Sequence, residues 1–165
     1  MINGMKPVGR SLRWGMVGGG GSSQIGYIHR SAALRDGSFT LLAGAFDIDP
    51  RRGLEFGQQL GMEAGRCYPD YQTLFREEAA REDGIEAVSI ATPNNTHYAI
   101  CRAALEAGLH VVCEKPLCFT GEEADALVAL SEKQRKIIGV TYGYAGRAKN
   151  SAKSSASPTA TPGIS

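Results

Sequence analysis

A short apolar segment that leads into four consecutive glycines constrains the fold of this chain more than any other feature. Residues 14–17 have the length and composition of a buried β-strand, and Gly18–Gly21, two serines and a helix-like segment from Gln24 follow. Glycine lets the backbone approach an anion closely, and the free N–H groups that begin a helix point towards that anion. The segment therefore predicts a pyrophosphate site for a dinucleotide, formed by Gly18, Gly20, Ser22 and Ser23.

The glycine turn departs from the common G-x-G-x-x-G pattern. If Gly18 and Gly20 are its first two glycines, the third is expected at position 23, but that residue is a serine and the next glycine is Gly26. We therefore expect a turn that is about two residues longer than the common one. The alternative is a flexible glycine loop without a ligand, so residues further along the chain must decide.

Composition is typical of a soluble globular protein, and the length allows one domain with a tail, or one domain and a fragment of another. The chain has 165 residues, 42% of them hydrophobic and 21% charged. Its net charge of +1 gives no preference for nucleic acid or anionic lipid. We find neither a signal peptide nor a membrane-spanning run, and we expect a cytoplasmic protein. No metal site is predicted, because there is no C-x-x-C spacing among Cys67, Cys101, Cys113 and Cys118.

Strand and helix signals alternate along the rest of the chain. Further strands are predicted at residues 39–46, 66–68, 87–91, 110–113 and 136–142, with helices between them. This alternation predicts a parallel sheet with crossover helices, and hence a doubly wound, Rossmann-like α/β fold. We expect a flexible leader at 1–11, one dinucleotide-binding domain at 12–146 and a disordered, low-complexity tail at 147–165.

Two aspartates near the end of the second strand are candidates for one role. Asp49 directly precedes Pro50 and is typical of a helix N-cap. Asp47 lies at the strand end, roughly 20 residues after the glycine turn, where an acidic side chain accepts hydrogen bonds from the adenosine ribose. We therefore predict that Asp47 binds the cofactor. A carboxylate there repels a 2′-phosphate and favours NAD, whereas Arg51 and Arg52 keep NADP as the alternative.

Two further motifs follow the glycine turn, each at a predicted strand end. ATPNNTHY occupies residues 91–98 and EKP occupies residues 114–116. In this order, the three motifs resemble the nucleotide-binding half of the Gfo/Idh/MocA oxidoreductases, which include glucose–fructose oxidoreductase and inositol dehydrogenase. The resemblance covers about residues 12–146. It implies an NAD(P)-dependent enzyme that transfers hydride between nicotinamide and a hydroxyl or carbonyl carbon of a sugar or cyclitol.

The resemblance also implies roles for the first of these strand ends. Thr92, Pro93 and Asn94 would form the turn that lines the cofactor cleft, with His97 at the start of the next helix. The alternative for His97 is a helix-terminus residue whose hydrogen bonds are satisfied locally.

At the second strand end, the resemblance implies that Glu114 hydrogen-bonds the nicotinamide ribose and that Lys115 is the catalytic residue. The Lys115 ammonium would polarise the substrate oxygen and help a partner base to remove a proton. The alternative is an exposed Glu114–Lys115 ion pair. Pro116 directly after them favours a fixed turn and hence a functional role.

Members of this family continue into a second α/β domain that supplies the substrate pocket, and we find no such domain here. We therefore expect a truncated or frameshifted product. The alternative function is then a non-catalytic dinucleotide-binding domain. A sheet surface left uncovered predicts self-association into a homo-oligomer. The remaining predicted partner is a small sugar or polyol substrate, with no nucleic acid and no membrane.

Overall fold

The computed structural model describes residues 9–142. This region contains five strands and five helices, which alternate except that α3 follows α2: β1 (Leu12–Gly18), α1 (Gln24–Leu34), β2 (Phe39–Ala45), α2 (Pro50–Gln59), α3 (Tyr71–Ala79), β3 (Ala87–Ala91), α4 (His97–Glu106), β4 (His110–Glu114), α5 (Gly121–Gln134) and β5 (Ile138–Thr141). Short 3₁₀ turns span Ala64–Arg66 and Asn94–Thr96. Most of the predicted leader and all of the predicted tail lie outside the described residues, so the domain boundaries stay predictions.

The strands form one parallel sheet in the order β2-β1-β3-β4-β5. β2 lies on one side of β1, and the later strands lie on the other side. The order in which strands are added to the sheet therefore reverses between β1 and β3. This is the doubly wound α/β fold that the alternation of signals predicts. Ligands in such sheets bind outside the carboxyl ends of the strands at the reversal point.

The prediction of a strand at residues 66–68 is wrong in its length. Only a single parallel bridge joins Cys67 to Gly44 on the outer side of β2, and the Tyr68 N–H donates to the Gly44 carbonyl at 2.7 Å. Arg66 before the bridge belongs to a 3₁₀ turn, and Pro69 after it has no N–H to continue a ladder. If this bridge is counted as a reduced third strand, the order becomes the 3-2-1-4-5-6 order of dinucleotide-binding sheets.

Polar side chains define where the helices begin. The Ser23 hydroxyl accepts from the Gly26 N–H at 3.1 Å, and the Asp49 carboxylate accepts from the Arg51 N–H at 2.9 Å. Asp70 and Thr120 cap α3 and α5 in the same way. The prediction that Asp49 is an N-cap is confirmed, and each cap satisfies a backbone donor that the helix itself leaves unpaired.

Two apolar clusters cover the two faces of the sheet. Trp14 and Met16 of β1 pack with Phe46 and with Phe56 of α2 on one face. Val17, on the other face, belongs to the larger cluster, which includes Leu74 and Phe75 of α3, Ile100 of α4 and Leu127 of α5. The alternation along β1 therefore places helices on both faces of this strand, and its carboxyl end opens between them.

A buried ionic cluster fastens the reduced third strand to α3. The Glu78 carboxylate accepts from Arg66 Nε at 3.0 Å, from the Tyr68 hydroxyl at 2.8 Å and from the Ile85 N–H at 3.1 Å. Burial, together with the neighbouring Glu78 carboxylate, raises the pKa of Tyr68 to about 12. Removal of the carboxylate would leave the Arg66 cation largely uncompensated, because the exposed Asp83 is its only other ion-pair partner within residues 9–142.

We predict that Glu78→Gln lowers the free energy of unfolding by about 3 kcal/mol, since one partner of a buried ion pair loses its charge. Asp83→Asn is the matched control. The Asp83 side chain is 60% exposed, and this substitution is expected to cost less than about 1 kcal/mol. Urea unfolding followed by circular dichroism measures both variants. Equal losses would contradict the assignment of Glu78 as the centre of the cluster.

Candidate dinucleotide site

A cavity of about 710 Å³ opens at the carboxyl ends of β1, β2 and β3, at the reversal point of the sheet. Its volume is in the range of cofactor and small-molecule sites. Of the predicted site residues, the cavity is lined by Gly18, Gly20, Ser23, Asp47, Thr92 and Pro93. Ser22, Asn94, His97, Glu114 and Lys115 do not line it, although Asn95 and Thr96 do.

The glycine turn forms one wall of this cavity. Gly18, Gly19 and Gly21 have φ angles of +73°, +70° and +54°, which favour glycine. A Cβ atom at Gly20 would press on the Phe46 carbonyl, and one at Gly26 would overlap the Gly19 backbone. Gly26 thus does what the third glycine of the common pattern does: it lets the first helix pack closely against the turn.

The beginning of α1 fits an anion such as a pyrophosphate. Ser23 is the N-cap, with its hydroxyl bonded to Gly26, and its own N–H donates to the Gly20 carbonyl at 3.1 Å. Within residues 9–142, the N–H groups of Gln24 and Ile25 in the first helical turn have no hydrogen-bond acceptor. Such groups bind anions at helix N-termini, where the helix dipole adds to their attraction.

Arg30 lies buried beneath the turn and was not predicted as part of the site. Its Nη1 donates to the Gly19 carbonyl at 2.6 Å, and its guanidinium carbon lies 4.9 Å from the centre of the Phe56 ring. Burial lowers the pKa of Arg30. No carboxylate pairs with Arg30 in the part of the chain that the structure describes, so this cation bonds to the glycine turn with its charge uncompensated by a side chain.

Asp47 extends into the cavity from the end of β2. One carboxylate oxygen, Oδ1, accepts from the Asp49 N–H and from Arg52 Nη2, both at 2.9 Å. The Asp49 N–H, and then Arg52, lower the pKa of Asp47, so it is a carboxylate at neutral pH. Of the two arginines that could receive a 2′-phosphate, Arg52 is therefore already paired with Asp47.

His97 connects the ends of two neighbouring strands. Its side chain is 0% exposed, with Nδ1 2.7 Å from the Pro116 carbonyl oxygen and Nε2 2.9 Å from the Thr92 carbonyl oxygen. A ring nitrogen that carries hydrogen donates to the carbonyl that it faces. Both neighbours are backbone carbonyls, the local surroundings that the alternative for His97 describes, and the ring lies between the turn after β3 and the turn after β4. A direct contact of His97 with a cofactor stays a prediction.

The end of β4 presents Glu114 and Lys115 in different environments. Glu114 Oε1 accepts from the Thr141 hydroxyl at 2.5 Å and lies 3.1 Å from His29 Nε2. Lys115 is exposed and has no ion pair with Glu114 or any other described carboxylate. The alternative of an exposed Glu114–Lys115 pair is therefore not what the structure contains. The contacts of His29 and Thr141 with Glu114 were not predicted from the sequence.

Burial raises the pKa of Glu114, but the hydrogen bonds from Thr141 and His29 outweigh it, and the net shift is downward. Glu114 is therefore ionised at neutral pH. Because a carboxylate can only accept, His29 Nε2 carries the hydrogen of their contact.

We predict that Gly26→Ala lowers the free energy of unfolding by about 1–3 kcal/mol and weakens dinucleotide binding, because the new methyl group overlaps the Gly19 backbone. Gly65→Ala is the control, since no atom lies within 4 Å of its added methyl group. Urea unfolding and NADH titration measure the two effects. Unchanged stability and binding in Gly26→Ala would contradict the close approach of turn and helix.

The fold and the cavity together define an α/β domain of the dinucleotide-binding class. A sequence profile described as "Oxidoreductase family, NAD-binding Rossmann fold" (Gfo/Idh/MocA) matches residues 12–142. The chain therefore belongs to the Gfo/Idh/MocA oxidoreductase family, and the resemblance predicted from its motifs is confirmed.

The relatives of this chain include several bacterial oxidoreductases. "Uncharacterized oxidoreductase YfiI" of Bacillus subtilis (strain 168) is 63% identical over 88% of this chain. UDP-N-acetylglucosamine 3-dehydrogenase of Acidithiobacillus ferrooxidans is 31% identical over 79% of it. An inositol dehydrogenase homolog from Azotobacter vinelandii, crystallised with NADH and myo-inositol, superposes with a TM-score of 0.84 at 70% identity over 88% of this chain.

The chain spans 37% of the length of both curated relatives and 38% of the Azotobacter vinelandii chain. Between residues 9 and 142, no helix is both long and apolar enough to cross a membrane. The same residues contain no group of three or more histidine, cysteine or acidic side chains placed to hold a metal ion.

Proposed function

We propose that this chain binds NAD(H) at the carboxyl ends of its sheet and supplies the nucleotide-binding half of an oxidoreductase site for a sugar or cyclitol. The observation that supports this most directly is the cavity at the sheet reversal, lined by the glycine turn and Ser23 on one side and by Asp47 on another. The free N–H groups of Gln24 and Ile25 follow Ser23 directly in the chain. The inositol dehydrogenase homolog, 70% identical, was crystallised with NADH and myo-inositol, which supports the same cofactor and substrate class here.

Residues at different strand ends would bind different parts of the dinucleotide. Gly18, Gly20, Ser22 and Ser23, with the start of α1, would hold the pyrophosphate. Asp47 would accept hydrogen bonds from the adenosine ribose through the oxygen that Arg52 does not use. The turn formed by Thr92, Pro93 and Asn94 would border the middle of the cofactor.

The other end of the cleft would carry the chemistry. Glu114 would bind the nicotinamide ribose, and the bound nicotinamide supplies the capacity to accept or give a hydride. Lys115, exposed next to Glu114 and without a described ion pair, would place its ammonium on the substrate oxygen and stabilise the negative charge that develops there. His97 would hold the two turns, after β3 and β4, in register.

Fluorescence titration with NADH tests the binding proposal on the full 165-residue chain. Saturable binding is expected, and its absence would overturn the proposal. NADH formation from NAD and a panel of sugars and cyclitols tests turnover. Where turnover is seen, Lys115→Met is expected to abolish it with NADH affinity retained. Binding without any turnover would instead favour a non-catalytic dinucleotide-binding domain.

The choice between NAD and NADP can be tested at Asp47. We predict that Asp47→Ser shifts the ratio of NADPH to NADH affinity upward by about tenfold, because it removes the charge that repels a 2′-phosphate and releases Arg52. Asp49→Ser is the matched control, since serine also caps a helix and the ratio should not change. If both variants behave alike, Asp47 does not determine the preference.

The remaining expectations concern the whole protein. We propose a cytoplasmic location, a homo-oligomer and no nucleic-acid or membrane partner, as composition and resemblance predict. Light scattering at high concentration tests self-association, and a strictly monomeric chain would contradict it.

A further inference from the structure

The carboxylate of Glu114 is held on one side only. Both strong donors, the Thr141 hydroxyl at 2.5 Å and His29 Nε2 at 3.1 Å, bond to the same oxygen, Oε1. No side chain among residues 9–142 donates to the second oxygen, Oε2. Every buried side-chain oxygen in the described chain has a hydrogen-bond partner. Because Oε2 has none, it is not a buried atom. Glu114 therefore presents one accessible acceptor oxygen in a fixed orientation.

The two donors come from distant parts of the sequence. His29 lies on the buried face of α1 together with Gly26 and Arg30, and its side chain is only 5% exposed. Thr141 ends β5 and is the parallel neighbour of Glu114 across the sheet. The carboxylate is consequently fixed from α1 and from β5, while the backbone of β4 carries it.

The helix that supplies His29 also begins the anion site. Gln24 and Ile25 open α1, and His29 follows one turn later. A rotation or shift of α1 would therefore move the pyrophosphate donors and the His29–Glu114 contact together. One helix therefore carries both the free N–H groups and the contact with Glu114.

We propose that His29 and Thr141 are positioning residues, which hold Glu114 Oε1 so that Oε2 accepts a hydrogen bond from the nicotinamide ribose. This inference rests on the proposed function and adds to it two residues that need not touch the cofactor. Without either donor, the carboxylate gains rotamer freedom and loses compensation for its partial burial. Its contact with the ribose weakens, whereas the adenosine end of the cleft is unaffected.

Comparison of two ligands separates positioning from a general structural role. NADH contains the nicotinamide ribose, and ADP contains only the adenosine ribose and pyrophosphate. We expect Thr141→Val to weaken NADH binding by about tenfold, as for loss of one hydrogen bond to a charged group, and to leave ADP binding within about twofold. Thr141→Ser keeps the hydroxyl and should restore NADH affinity.

The same comparison applies to His29. His29→Leu removes the donor and His29→Gln retains one, so only the leucine variant should lose NADH affinity selectively. Thr40→Val is the matched control for Thr141→Val, because Thr40 lies on β2 at the opposite edge of the sheet. Fluorescence titration measures NADH, and calorimetry measures ADP, each with the full chain.

Selective loss of NADH affinity in Thr141→Val and His29→Leu would support the inference. Equal loss of NADH and ADP would show a structural role and overturn it, as would unchanged NADH affinity in both variants. If the unsubstituted chain binds NADH no more tightly than ADP, Glu114 does not contact the second ribose and the inference fails, although dinucleotide binding stands. If it binds neither ligand, the proposed function itself fails.

Discussion

The close approach of Gly26 to Gly19 is the contact on which the site depends. Only two glycine backbones can come this near, since a Cβ at either position would overlap a neighbouring group. The contact brings the first turn of α1 to the strand ends. It also sets the rotation of the helix, so that Gly26, His29 and Arg30 share the buried face. A bulkier residue at position 26 would displace the free N–H groups of Gln24 and Ile25 and both buried side chains at once.

The parts of the structure that could be predicted are those with local causes. Apolar runs, glycine turns and caps such as Asp49 act within a few residues, and the parallel sheet with its helices follows from them. The strand predicted at 66–68 is reduced to one bridge, because Arg66 belongs to a 3₁₀ turn, where its side chain bonds to the buried Glu78. That contact is set by tertiary packing, which the strand propensity of a short segment does not predict.

The candidate site divides along the same line. Asp47, Thr92 and Pro93 could be placed at the cavity because a strand end positions them directly. His29 and Thr141 could not, since they reach Glu114 across 85 and 27 residues of sequence. Histidine on a helix and threonine in a strand carry no signal of a distant partner. His97 had two interpretations. Its contacts with the Thr92 and Pro116 carbonyls depend on how two separate turns pack, which the sequence does not indicate.

Asp47, which lines the cavity, and Glu114, at the end of β4, share one arrangement. Each has its internal hydrogen bonds on a single oxygen, Oδ1 of Asp47 and Oε1 of Glu114. These bonds keep both groups ionised and fix their rotamers. A carboxylate bonded evenly through both oxygens would be more fully satisfied by the protein and a weaker acceptor for a ligand. One-sided bonding leaves an oriented acceptor oxygen on each residue, as the proposed binding of two ribose diols requires.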